Sequence, residues 1–264
     1  MKSILITGKN SYIGTSLENC LMREPDKYKV SSVTLRDESW KEDDFSKYDV
    51  IFHVAAVVHQ KEKPDMRESY FKVNRDLPIE VAKKAKQSGV SQFIFMSTMA
   101  VYGEEGKLGE EIVIKRNTPV NPKTFYGVSK VEAEEGLNKI INDKFKVVII
   151  RPPMVYGPNC PGNYAKLEKL AIKLPVFPMI DNKRSMLHID KLCHSVKEYI
   201  DSEVEGLYFP QDDEYVNTSL MVKKMANKSG KSIHLSETAG LVTKLIGKRI
   251  NLINKVFGSL VYEK

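Results

Sequence analysis

Lys2-Ser-Ile-Leu-Ile-Thr-Gly8-Lys-Asn-Ser11-Tyr-Ile-Gly14 is the stretch that decides the fold. An apolar β-run closes in Thr-Gly, and a helical pattern follows with Ile13, Leu17 and Leu21. Strand, glycine turn and helix together aim backbone N–H groups and a helix N-terminus at a pyrophosphate. Gly8 permits the tight turn, and Gly14 lets the helix close on the strand. Ser11 stands where a middle glycine is expected, so its side chain either crowds the phosphates or donates its hydroxyl to them. Asn10, Ser11, Tyr12 and Ile13 join the two glycines as candidate cofactor contacts.

The segments downstream fit the same scheme. Val30–Leu35 alternates as a second strand, and Asp49–Ala56 reads as a buried third strand ending in Ala55-Ala56. Asp76–Ser88 is helical, with Leu77, Val81, Ala82 and Ala85 as its apolar stripe. Gln92–Met96 is a fourth strand with Ser97-Thr98 at its carboxyl end. Tyr126–Asn142 is a helix. Lys146–Ile150 is a fifth strand, followed by Arg151-Pro-Pro-Met-Val-Tyr-Gly-Pro158. Strands alternating with helices predict an α/β doubly wound parallel sheet of the Rossmann type. Ligands of such sheets sit beyond the carboxyl ends of the strands. Gly8, Ala55, Ser97, Thr98 and Arg151 all fall there.

Tyr126 and Lys130 carry the chemistry. Four residues apart, they leave the same face of a helix. Of the 12 tyrosines, only Tyr126 has a lysine at that spacing. An ammonium beside a phenol favours the phenolate, which is a competent base for an alcohol. The bland alternative is a solvated lysine near a half-buried tyrosine; the order of motifs around the pair outweighs it.

That ordered set resembles the extended short-chain dehydrogenase/reductases, in the nucleotide-sugar epimerase/dehydratase branch. The matching pieces are Thr7-Gly8 with Ile13-Gly14, His53-Val-Ala-Ala56, Val73-Asn74, Ser97–Gly103, Tyr126–Lys130, Arg151–Pro158 and Arg184–Asp190. The resemblance implies that Thr98 hydrogen-bonds the sugar hydroxyl and Tyr126 removes its proton. Lys130 would hold the nicotinamide ribose and depress the Tyr126 pKa. Ser97, Pro153 and Val155 would belong to the cofactor shell, and Asn74 would be a structural or cofactor-shell residue. Asn163 and Arg184 would contact substrate, with Arg184 at its nucleotide half.

Departures from the family pattern narrow the reaction. The 4,6-dehydratases follow the Thr with Asp-Glu; here Met99-Ala100 follow, and neither side chain transfers a proton. Dehydration is therefore excluded. After the second strand come Arg36 and Asp37. An acid there suits the ribose 2′-hydroxyl of NAD, and an arginine suits the 2′-phosphate of NADP, so both cofactors stay open. The expected activity is C4 epimerisation of a UDP-hexose or UDP-N-acetylhexosamine. The alternatives are an NADPH-dependent 4-ketosugar reductase and a non-catalytic NAD(P)-sensing regulator, although a sensor has no need of a base.

Composition excludes other classes. The chain has 264 residues, 42% of them hydrophobic, enough for a sizeable core. No run of 18 apolar residues suggests a membrane span. A strand begins at once, with no signal-peptide pattern. Cys20, Cys160 and Cys193 lack metal-ligand spacing, which fits a reducing cytoplasm and no metal. The net charge of +7 comes from cations interleaved with acids, which suits an anionic nucleotide-sugar rather than nucleic acid.

The expected organisation is a dinucleotide-binding domain over 1–160 and a smaller interleaved substrate lobe over 161–264. Residues 191–200 return to the first domain. Glu104–Pro122 reads as a flexible loop, Tyr164–Leu174 as a helix and Ser219–Ser229 as another. Relatives commonly continue past a segment like Gly258–Val261, so a shortened lobe is expected. Leu241–Val261 is apolar and basic at helical spacing. It reads as a core or dimer-contact helix rather than a membrane-surface amphipath, and a homodimer is expected.

Overall fold

The computed structural model describes residues 1–58 and 62–264. Six strands form one parallel sheet: β1 (Lys2–Thr7), β2 (Tyr28–Val33), β3 (Val50–His53), β4 (Gln92–Met96), β5 (Lys146–Ile150) and β6 (Gly206–Tyr208). Their order is β6-β5-β4-β3-β1-β2. Register runs Ile4↔Val50, His53↔Phe95 and Met96↔Ile150 across the centre. Strand order reverses beside β1, the switch point where open α/β sheets bind ligands.

Side chains alternate across this sheet. Ile4, Ile6, Phe52, Ile94, Val148 and Ile150 face helices α1 (Tyr12–Leu21) and, later in the chain, Ile189–Asp201. Leu5, Ile51, Phe93, Phe95, Val147 and Ile149 face α2 (Leu77–Gln87) and α3 (Phe125–Asn138). Both faces are covered, which is why the strands read as near-continuous apolar runs.

The second strand lies two residues earlier than its alternation suggested, and α3 stops at Asn138 rather than 142. The helix expected from Asp76 is preceded by a further turn, Arg67–Phe71, and a π-helical turn, Lys72–Asp76.

The remaining helices are α4 (Asn163–Lys173), α5 (Ile189–Asp201), α6 (Thr218–Lys228), α7 (Glu237–Gly247) and α8 (Asn251–Phe257). Leu167, Ala171, Phe177, Val222, Met225 and Phe257 build a separate small core with Leu108. Two expectations fail in this region. The loop over 104–122 contains a strand, Glu111–Ile114, paired in parallel with Ser259–Tyr262. The single tail helix over 241–261 is instead two helices and that strand, with Leu260 and Val261 buried. Among the described residues no helix is long and apolar enough to cross a membrane.

Candidate active site

The glycine turn forms as its residues require. Gly8 has φ +116, and a Cβ there would lie 2.9 Å from the Ala55 nitrogen. Ser11 resolves its own ambiguity: its hydroxyl accepts from the Gly14 N–H at 3.1 Å and caps α1. Gly14 stays small because a Cβ would meet that hydroxyl at 2.6 Å.

A cleft of about 1310 Å³ opens over the carboxyl ends of the strands. Gly8, Asn10, Ser11, Tyr12, Ile13, Arg36, Ala55 and Ala56 line one end of its wall. Ser97, Thr98, Tyr126, Lys130, Pro153, Val155, Asn163 and Arg184 also line it. Gly14, Asp37 and Asn74 do not line it, and each works from behind. Asn74 is fully buried and clamps the loop after β3, accepting from the Val57 N–H at 2.8 Å and donating to its carbonyl at 3.0 Å. The Asp37 carboxylate accepts from the Ser39 N–H and hydroxyl, which holds its pKa low.

The start of α3 is pinned in two ways. Thr124 caps it, accepting from the Gly127 N–H at 3.0 Å. The Glu62 carboxylate accepts from the Phe125 and Tyr126 N–H groups, each at 2.9 Å. Tyr126 is thereby held in the cleft wall with Thr98, whose hydroxyl favours the phenolate. Thr98 also accepts from the Ala100 N–H at 3.1 Å and starts the short turn Met99–Tyr102.

The expected depression of the Tyr126 pKa is not what the protein alone produces. Tyr126 keeps some surface open to the cleft, yet the atoms around it desolvate the phenol and push it up to about 12. Lys130 points elsewhere: its Nζ donates to the Met96 carbonyl at 2.7 Å and lies 4.4 Å from the centre of the Phe95 ring. Burial brings Lys130 down to about 7. Desolvation therefore dominates both members of the pair.

A buried ion pair lies one turn along α3. Glu134 accepts from Arg151 Nε at 3.0 Å and from the Ser97 hydroxyl. Arg151 also donates to the Tyr102 hydroxyl at 2.9 Å. This network fixes the ends of β4 and β5 against α3, beneath Thr98. Glu62 and Glu134 escaped the sequence reading. Glu134 sits in a Lys/Glu-rich helix and reads as a solvated residue; only its spacing, i+4 from Lys130, places it on the inner face.

Arg184 donates to the Lys255 and Gly258 carbonyls at 3.1 and 2.9 Å. It holds the tail segment while lining the cleft. Among the described residues no group of acids, histidines and cysteines could hold a metal ion.

A profile of the NAD-dependent epimerase/dehydratase family matches residues 4–194. The chain belongs to this family. UDP-glucose 4-epimerase of Vibrio cholerae is 31% identical over 98% of the chain and 86% of its own length. An Escherichia coli O157:H7 relative, N-acetyl-α-D-glucosaminyl-diphospho-ditrans,octacis-undecaprenol 4-epimerase, is 25% identical over 97% and 81%. Among solved structures, UDP-glucuronic acid 4-epimerase from Bacillus cereus with NAD shares the fold. Its TM-score is 0.73 at 19% identity, covering 99% of this chain and 89% of that one. The match to the family ends at residue 194, so of the small second core Leu108, Leu167, Ala171 and Phe177 lie inside it and Val222, Met225 and Phe257 beyond it.

Proposed function

We propose that this family member is an NAD(P)-dependent 4-epimerase of a nucleotide-linked hexose, with Tyr126 as the proton-transferring group. The observation that carries this reading is the meeting of Thr98, Tyr126 and Lys130 in a cleft whose other end is a glycine turn and a capped helix N-terminus. The named activity of the 31%-identical Vibrio cholerae relative supports the reaction class. UDP-hexoses and UDP-N-acetylhexosamines are the first substrates to test.

The residues fit a dinucleotide. Gly8 lets backbone approach backbone, Ala55 and Ala56 leave room, and the N-terminal end of α1 favours an anion. A nicotinamide held there supplies hydride acceptance and return. The chain's own residues manage the proton. Thr98 holds the sugar hydroxyl and donates to the developing phenolate. Tyr126 takes the proton and gives it back. Thr98 favours the phenolate against the burial that raises its pKa, and Lys130, anchored on the Met96 carbonyl, would hold the nicotinamide ribose. Met99 and Ala100 offer no acid or base for elimination.

Tyr126→Phe tests the assignment. Only the ionisable hydroxyl is lost, so turnover should fall about 100-fold or more while cofactor binding stays near normal. Near-normal turnover would sink the assignment. One observation favours a reductase instead: Arg36 lines the cleft, whereas the Asp37 carboxylate is engaged by Ser39. The purified protein decides between the two, because an epimerase retains its cofactor through turnover and a reductase exchanges it.

A further inference from the structure

The C-terminal helices invert the arrangement of a core helix. α7 turns its smallest residues inward. A Cβ on Gly240 would lie 2.1 Å from the Met179 carbonyl oxygen, and one on Gly247 would lie 2.6 Å from Ile253. Its large apolar residues point outward. Leu241, Val242, Leu245 and Ile246 are 62, 52, 80 and 61% exposed, and Leu252 of α8 is 69% exposed. At helical spacing the four α7 side chains fall in one stripe about 140° wide, opposite the two glycines.

Cations border this stripe. Lys244, Lys248 and Arg249 are exposed, and Glu237 at the first turn of α7 is the one acid of α7 and α8. A contiguous apolar stripe on a surface marks an interaction site, and the charges select the occupant. In a symmetric contact between two copies, each patch meets its own image. The face carries these three cations against the single acid Glu237 of α7, so two copies meeting there would bring together surfaces of the same net charge. Anionic lipid headgroups would neutralise them while the acyl boundary covers the leucines.

We propose that α7 and the start of α8 dock the protein on an anionic membrane surface. The stripe lies in the plane of the interface, in keeping with the absence of a spanning helix among the described residues. Docking there sets the cleft close to the headgroups. Gly247 packs on Ile253 of α8, and Lys255 of the same helix lines the cleft. The inference rests on this face and is independent of the reaction proposed above.

Flotation with vesicles tests it. The wild-type chain should rise with vesicles of equal parts phosphatidylcholine and phosphatidylglycerol at low salt. It should stay behind with phosphatidylcholine alone, and high salt should release it. Leu245→Glu/Ile246→Glu should lose at least about ten-fold in partitioning, since it places two anions in the stripe. Lys244→Glu/Lys248→Glu should lose a similar factor, each cation near an anionic surface contributing roughly five-fold. All four side chains are exposed, so both variants should keep the wild-type thermal midpoint, which is measured alongside. No wild-type flotation at low salt, or unchanged flotation in both variants, overturns the proposal. So does a dimer in light scattering that Leu245→Glu/Ile246→Glu dissociates while nothing floats; that result assigns the stripe to a second copy.

Discussion

Acidification should destabilise this protein through His53 before most carboxylates titrate. The imidazole is fully buried at the end of β3, between the rings of Phe93 and Phe95. Its Nδ1 shares a hydrogen with the Thr7 hydroxyl at 2.8 Å, and its Nε2 has no partner among the described residues. Burial, reinforced by the nearby Lys130 charge, pushes its pKa down to about 3. An unfolded histidine titrates near 6.5. Between these values the unfolded chain holds a proton that the native chain does not, so stability falls as pH drops through about 6.5. The loss is complete only below about 3. At pH 5 it has grown over about 1.5 units at 1.36 kcal/mol each, or about 2 kcal/mol. Urea unfolding at pH 7 and pH 5 measures it, with His53→Gln as the comparison. Glutamine keeps a polar group near Thr7 but cannot take up the proton, and carboxylates elsewhere cancel between the two proteins. The wild type should lose about 2 kcal/mol more than the variant over this interval. Equal losses would refute the reasoning and mean that His53 protonates without penalty.

Two further substitutions probe the cleft. Arg36→Ala should weaken NADPH roughly 10- to 150-fold more than NADH in calorimetric titration, the cost of one charge-assisted phosphate contact; equal losses would leave the ribose to another residue. Glu134→Gln strands the buried Arg151 charge and should cost about 3–5 kcal/mol. By calorimetry that is a fall of roughly 6–20 °C in midpoint, and a fall under about 2 °C would show that the pair is not desolvated.

The sheet was legible because its strands are buried on both faces. Gln92–Met96 and Lys146–Ile150 are apolar runs bounded by polar residues, and both appear at those limits. Gly206–Tyr208 was not legible, since three residues carry no period. Nor was Glu111–Ile114, whose partner strand is remote in sequence and whose outer residues are charged or exposed. At the site, residue types and order pointed to residues that line one cleft, Gly14, Asp37 and Asn74 excepted. What sequence could not supply was orientation: that Lys130 turns to a carbonyl, that Asp37 caps a turn, and that Glu134 faces inward. The tail misled for a related reason. Its apolar residues recur at helical spacing, but spacing alone cannot say which face a glycine claims.

The pairing of Ser259–Tyr262 with Glu111–Ile114 also sets when the enzyme can mature. The Tyr262 hydroxyl donates to the Arg151 carbonyl 111 residues earlier, and its ring meets Tyr102 edge-on. Contacts of such long range close late, after the loop entropy has been spent. A nascent chain halted near residue 200 would already hold Thr98, Tyr126, Lys130 and Arg151, yet lack the strand that backs them. Catalytic competence should therefore arrive abruptly during synthesis, once residues 259–262 clear the ribosome, rather than growing with the sheet.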